Sequence, residues 1–272
     1  MLTIPRQIFQ QKISLQQKLN LFWKWLNMRW NQALQGHAQV AKDGISFDVR
    51  KNHYQLIQYI FSGKDNLIPL LSKLVDDKGL FIDIGANIGM ISLGVASASN
   101  CTVIACEPVK STFSRLCKNL SLNTNLKIFP FNCALSQSLD LMSITNLDSS
   151  GVNQLINTEK PNLQACLSLT LDSLSQIFTT LRVSTIVIKI DVERHEVNVL
   201  QGGVGIVLQL ERPIAVCFEY FSPENLDEIH QFLTRFNFLP ISVDSQGKII
   251  LSECKAIDSS NALYGNSHLL KS

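Results

Sequence analysis

The sequence predicts an α/β fold, a mostly parallel sheet with helices on both faces. Three observations predict it. From about residue 76, apolar runs of strand length alternate with stretches of helix length. Such alternation requires parallel strands covered on both sides. The first of these strands runs into a glycine-rich turn, Phe81-Ile82-Asp83-Ile84-Gly85-Ala86-Asn87-Ile88-Gly89. Across 272 residues, 46% are apolar and 17% charged, with a mean hydropathy of +0.13. That composition supplies a buried core and excludes a disordered or collagen-like chain.

The elements follow in order. Leu15, Leu19, Phe22, Leu26 and Ala33 fall at helical spacing near the N-terminus. Ile45–Val49 alternates as a short strand, expected to form half of a hairpin with the segment C-terminal to it. Tyr54–Phe61 and Asp65–Val75 read as helices. Leu80–Ile84 is the apolar strand before the glycine turn, Ile88–Ala98 a helix, Thr102–Cys106 a strand and Ser111–Leu122 a helix. Lys127–Asn132 and Leu141–Thr145 read as strands. Residues 146–164, rich in Asn, Ser and Thr, read as an irregular loop on the substrate side. Leu171–Phe178 is a helix, Thr185–Ile190 a buried strand, Glu193–Gln201 a helix, Ile214–Glu219 a strand and Pro223–Phe236 a helix. Leu239–Val243 and Lys248–Leu251 flank Asp244-Ser245-Gln246-Gly247, which has hairpin-turn chemistry.

Charge divides the chain. Residues 1–42 carry six basic side chains (Arg6, Lys12, Lys18, Lys24, Arg29, Lys42) and no acidic one. The remaining 230 residues carry 18 basic and 22 acidic side chains. A nearly neutral whole gives no indication of nucleic-acid binding. All three tryptophans, Trp23, Trp25 and Trp30, lie in one eight-residue stretch of the basic segment. A basic, Trp-rich amphipathic helix suits an anionic membrane surface, and peripheral contact through residues 1–35 is one expectation. A helix packed on the main domain or on a second subunit is the plainer one. A transit peptide fits the Gln-rich, Ser-poor content badly. No apolar run is long enough to span a bilayer. The seven cysteines are scattered and lack a CxxC pair, so a reducing, cytoplasmic setting is expected.

The strongest signal is the first turn. Open parallel sheets bind ligands beyond the carboxyl ends of their strands. A dinucleotide site needs G-x-G-x-x-G. Here Asn87 occupies the place of the second glycine, and a pyrophosphate sits poorly beside Asp83. S-adenosylmethionine, a sulfonium without phosphate, fits an acidic strand end better. The next strand ends at Glu107, 24 residues after Asp83, where a carboxylate can hold a ribose diol. Gly85 is expected to let backbone approach the ligand, and Gly89 to let the helix pack near the strand.

A second constellation, Lys189-Ile190-Asp191-Val192-Glu193-Arg194-His195-Glu196, comes directly after the buried strand. Methyl transfer from a sulfonium requires alignment, and a hydroxyl acceptor must also lose a proton. His195 is the first candidate base, Asp191 the next, with Glu193 beside them. Asp191 and Glu193 alternatively bind a divalent cation that acidifies the hydroxyl. Lys189 is placed to pair with Asp191. Glu219 ends a strand on the same side.

These residues make the chain resemble the FkbM-type S-adenosylmethionine-dependent methyltransferases. The resemblance rests on F-I-D-I-G-A-N-I-G-M at 81–90, A-C-E-P at 105–108 with K-N-L-S-L-N at 118–123, and L-T-L-D-S-L at 169–174. It continues through I-K-I-D-V-E-R-H-E at 188–196, V-L-Q-G-G at 199–203 and F-E at 218–219. It implies a Rossmann-like class I methyltransferase domain over residues 76–272, with a mostly parallel seven-stranded sheet, helices on both faces and an antiparallel C-terminal hairpin. Residues 1–75 form a helical arm and β/α lead-in. It also implies methylation of a hydroxyl on a sugar, glycan or polyketide-like natural product. Asp83, Gly85, Asn87, Gly89 and Glu107 are then expected on the cofactor, and Asp191 and Glu193 at the reaction face. Arg194 departs from the family, which usually has glycine after D-V-E. That substitution and the basic arm leave a non-catalytic scaffold of the same fold as the alternative. A nicotinamide-dependent oxidoreductase is disfavoured by the missing glycines.

Overall fold

A computed structural model describes residues 3–50, 53–62, 66–145, 155–156, 163–244, 246–253, 255–258 and 260–271. The chain opens with helices α1 (Thr3–Gln10) and α2 (Leu15–Gln35), then strands β1 (His37–Lys42) and β2 (Ile45–Arg50) and helices α3 (Tyr54–Ser62) and α4 (Leu67–Leu74). Next come β3 (Leu80–Ile84), α5 (Met90–Ser99), β4 (Thr102–Cys106), α6 (Lys110–Ser121), β5 (Ile128–Phe131), β6 (Ala134–Leu135), β7 (Asp140–Thr145), β8 (Leu155–Ile156) and β9 (Leu163–Leu169). The last part holds α7 (Ser175–Leu181), β10 (Ile186–Ile190), α8 (Glu196–Gln201), β11 (Ile214–Glu219), α9 (Pro223–Thr234), β12 (Phe238–Val243), β13 (Ile249–Leu251) and β14 (Asn261–Asn266).

The main sheet has eight strands in the order β13-β12-β14-β11-β10-β3-β4-β5. β11, β10, β3, β4 and β5 run parallel, and β14 is antiparallel to both its neighbours, β11 and β12. This is the Rossmann-like arrangement that the motifs implied. The central strands β11, β10, β3 and β4 are buried on both faces, which is why they read as continuous apolar runs. Alternate side chains feed two cores. Phe81, Val103, Val187 and Ala215 enter one, and Ile82, Ile104, Ile188 and Val216 the other.

Several expectations change. The C-terminal hairpin forms between β12 and β13, but β14, unread in the sequence, is wedged between β12 and β11. Asn266 pins it there: its Oδ1 accepts from the Ile214 amide at 3.1 Å and its Nδ2 donates to the Arg212 carbonyl at 2.8 Å. The sheet therefore has eight strands, not seven. Ile45–Arg50 pairs with the preceding β1 and not with a segment C-terminal to it. β6, β9, β7 and β8 form a second, four-stranded sheet. Most of the expected 146–164 loop lies outside the described residues, although Leu155–Ile156 and the start of β9 are strand. Ser245 and Cys254 also lie outside them.

The N-terminal elements share the first core. Ile4, Ile8, Met28, Phe47, Leu56 and Phe61 belong to the same buried cluster as Phe81 and Val103. A polar clamp fixes them as well. Asn119 accepts from the Asp48 amide at 2.8 Å and donates to the Ile88 carbonyl at 2.8 Å. Asn123 exchanges two hydrogen bonds with the Ser46 backbone, at 2.9 and 2.8 Å. The asparagines of K-N-L-S-L-N thus join β2, α6 and the glycine turn.

Candidate active site

Five neighbouring strand ends meet at one edge of the sheet. Across it lie Glu219 (end of β11), Asp191 (after β10), Gly85 and Asn87 (after β3), Glu107 (after β4) and Cys133 (after β5). All of them line a single cavity of about 310 Å³. Three strand spacings, roughly 14 Å at ~4.8 Å each, separate the strand of Glu107 from that of Glu219.

The β4 end is built around Glu107. Its Oε2 accepts from the Asn87 amide and its Oε1 from the Val109 amide, each at 2.9 Å. Burial pushes its carboxyl up to about 7, against the pull of those amides and of Lys189. Asn132 Nδ2 donates to the carbonyls of Glu107 and Pro108, at 2.9 and 3.1 Å, and holds the backbone in place. Asn87 sits at φ +53°, in the left-handed region that asparagine tolerates. This explains how it replaces the second glycine. Its buried Oδ1 finds no hydrogen-bond partner among the described residues.

Asp83 is placed differently from the expectation. It is fully buried and does not line the cavity. Its carboxylate accepts from Ser92 Oγ at 2.6 Å and from Lys189 Nζ at 3.1 Å. Lys189 in turn reaches Asp191 at 3.2 Å and donates to the Gly85 carbonyl at 3.3 Å. Burial alone would lower the lysine pKa; Asp83 and Asp191 outweigh it and hold the ammonium charged. Asp83 therefore supports the site from beneath, through Lys189. Register dictates this, since Asp83 and Lys189 are directly paired neighbours on β3 and β10.

Gly85 is explained by protein packing. At φ +80°, a Cβ there would lie 1.9 Å from the Asp191 carbonyl oxygen. The close approach is to the turn after β10, with the ligand side open. Gly89 begins α5 at φ +87°, and a Cβ would meet Leu116 of α6 at 2.6 Å. It packs against α6, not a strand, and does not line the cavity.

At the β10 and β11 ends, Asp191, Glu193 and Glu219 converge on the cavity. Burial, the charge and hydrogen bond of Asp191, and Glu193 together raise the Glu219 carboxyl to about 8, against Lys189. Glu219 thus holds its proton more readily than a free carboxyl, and it hydrogen-bonds to Asp191. Burial and Asp191 raise the Glu193 carboxyl too, with Arg194 opposing. Glu193 and Arg194 occupy consecutive left-handed positions, φ +55° and +75°. Backbone of that kind recurs at functional sites. The buried Glu196 braces this turn, its Oε1 accepting from the Val192 and Arg194 amides at 3.4 and 3.2 Å. Arg194 turns its guanidinium over the Phe221 ring, 5.5 Å from the centroid, and Phe221 lines the cavity rim. The helix expected from Glu193 begins only at Glu196 because of this turn.

His195 does not reach the cavity. Its Nε2 lies 2.9 Å from Ser136 Oγ, and burial lowers its pKa. The first candidate base is therefore a neutral residue beside the cavity, and the carboxylates are what face it. Among the described residues no group of His, Cys, Asp and Glu is arranged to hold a metal ion. Sequence reasoning missed Ser92 and Phe221. Phe221 left one trace, an aromatic two residues beyond an acidic strand end.

These residues fit an adenosyl sulfonium. Glu107 retains free acceptor capacity on both oxygens, which a vicinal diol can use. Asn87, which lines the same cavity, carries a buried acceptor Oδ1 without a partner among the described residues. The far wall is acidic, which favours a cation and opposes a phosphate.

The family profile described as "Methyltransferase FkbM domain" matches residues 83–240, more than half of the chain. Among solved structures, the chain is similar to methyltransferase FkbM from Methylobacillus flagellatus, with 14% identity over 78% of this chain and 53% of that one, at a TM-score of 0.48. It thus spans about half the length of that protein. It is also similar to TYW2 from M. jannaschii in complex with AdoMet, with 10% identity over 85% of this chain and 84% of that one, at a TM-score of 0.43. A SAM-dependent methyltransferase from Agrobacterium tumefaciens gives 10% identity over 85% and 69% of the two chains, at a TM-score of 0.44. No curated protein matches the sequence. By its family profile, the chain belongs to the FkbM methyltransferase family, and its cofactor is S-adenosylmethionine.

Proposed function

We propose that this chain moves the cofactor's methyl group onto a hydroxyl oxygen of a sugar, glycan or polyketide-like acceptor, with Asp191 receiving the hydroxyl proton. The observation that carries the reading is the carboxylate group Asp191, Glu193 and Glu219 on the wall two to three strands from Glu107. S-adenosylmethionine, when bound, supplies a methyl group already activated on its sulfonium.

The chain's own work is alignment and one proton. Glu107 and Asn87 offer acceptors that orient the nucleoside end. Lys189 sets its ammonium 3.2 Å from the Asp191 carboxylate, and Asp83 fixes Lys189 from behind. Glu219 holds its own proton and hydrogen-bonds to Asp191, so the pair bears less negative charge than two free carboxylates. Asp191, lining the cavity beside Lys189, is then the carboxylate placed to accept the proton. Arg194 over Phe221 forms the outer rim on the acceptor side.

The test is methyl transfer from labelled cofactor to a panel of hydroxylated acceptors, with mass spectrometry locating the methyl group. Asp191→Asn is expected to lower kcat by about 100-fold or more, the usual range for losing a general base, with cofactor affinity retained. A methyl group found on nitrogen or carbon, or full turnover in Asp191→Asn, overturns the reading.

A further inference from the structure

Helix α2 packs inward through Met28 and Gln32, with Leu21 and Trp25 partly buried alongside. Its opposite side is the unusual one. Leu15, Leu19, Trp23, Trp30 and Leu34 are 66%, 37%, 66%, 68% and 66% exposed. At about 100° per residue these positions fall within an arc of roughly 100°, pointing away from the core. Phe9 of α1, 43% exposed and 5.8 Å from Phe22, extends the patch. Exposed apolar stripes of this size mark contact surfaces.

The charge around the stripe identifies what covers it. No acidic residue occurs before Asp43, and Arg6, Lys12, Lys18 and Arg29 all lie in or beside α1 and α2. Lys42 pairs with Asp43, whereas Lys24 and Arg29 donate only to neutral acceptors, the Ala41 carbonyl and Gln32 Oε1, so their charges add to those of Arg6, Lys12 and Lys18. We infer that α2 docks lengthwise onto an anionic lipid bilayer, with its leucines and two indoles in the interface and the basic side chains against the headgroups. A helix of 21 residues with tryptophans on an apolar face and lysines at its margins has the chemistry of an interfacial helix. No helix among the described residues is long and apolar enough to cross a membrane. The contact is therefore with one surface.

The protein carries its own reporter, because all its tryptophans lie in α2. Full-length protein is mixed with vesicles of phosphatidylcholine, or of phosphatidylcholine and phosphatidylglycerol in equal parts. The anionic vesicles are expected to blue-shift the tryptophan emission and to co-sediment the protein, with the binding lost at high salt. Arg6→Glu with Lys12→Glu should weaken partitioning by at least roughly 30-fold, from about fivefold per basic side chain lost and the added repulsion of two carboxylates. Trp23→Ala with Trp30→Ala should weaken it at least about tenfold, with cofactor affinity unchanged as the control for folding. Absence of binding, or equal binding to neutral vesicles, overturns the inference. So does a concentration-dependent dimer that Trp23→Ala with Trp30→Ala abolishes, which would make a second copy of the chain the occupant. The charge-reversal pair keeps the test decisive if the tryptophan pair fails to fold.

Discussion

On the proposed reading Glu107 holds the nucleoside end of the cofactor, and its protonation then sets a pH dependence. The carboxyl titrates at about 7 because it is buried. Above that value it is ionised and can accept two ribose hydroxyls. As pH falls through 7 it gains a proton and loses acceptor capacity. Cofactor affinity is therefore expected to fall toward pH 6, by up to about tenfold per unit, the limit for one linked proton. Calorimetric titration across this range checks it, and Glu107→Gln should bind more weakly with a flat profile. Arg194 is the second residue of consequence. A left-handed backbone without glycine costs on the order of 1 kcal/mol. Arg194→Gly relieves that strain but removes the contact with Phe221, worth about 0.5–1 kcal/mol at an exposed site. Stability should change by less than about 1 kcal/mol. Acceptor KM should rise severalfold as Phe221 loses its partner, while cofactor Kd stays unchanged. Steady-state kinetics beside a denaturant titration separate the two effects.

The elements legible in the sequence were those with a continuous apolar run. Leu80–Ile84 and Ile186–Ile190 are fully buried from both faces, so nothing in their pattern is ambiguous. The strands that escaped notice are half-polar. β1 reads His-Ala-Gln-Val-Ala-Lys, and β14 includes a glycine and two asparagines. Their positions are set by tertiary partners, chiefly Asn266 for β14 and the Asn119 and Asn123 clamp for the β1–β2 hairpin. The site divides in the same way. Gly85, Asn87, Glu107, Asp191 and Glu193 were readable because strand ends in a parallel sheet open to one side. The position of Asp83 beneath the cavity was not legible, because strand pairing, which a single segment does not display, sets it against Lys189. The position of His195 was not legible either, because it follows two left-handed residues that delay the helix and lies against Ser136. Asp172 of L-T-L-D-S-L is likewise structural, accepting from the Gly205 and Val207 amides at 2.8 and 2.7 Å.

At the scale of the whole molecule, the question is whether the N-terminal region is an appendage or part of the folding unit. The composition of residues 1–42 suggests an appendage, being basic and acid-free ahead of a net acidic remainder. The packing argues otherwise. Ile8, Phe47 and Phe61 are at most 1% exposed and sit in one cluster with strand residues of the main sheet. Losing burial of such side chains costs about 1.5–3 kcal/mol each, comparable in sum to the whole stability of an ordinary domain. The two regions should therefore unfold together. Tryptophan emission reports only α2, whereas far-ultraviolet circular dichroism reports every helix and strand. In thermal or denaturant unfolding the two signals are expected to give coincident transitions with one midpoint. A tryptophan transition well below the dichroic one would mean that α2 detaches while the sheet remains folded. The shared core would then be too weak to couple them, and the arm could swing free of the catalytic unit on the surface it contacts.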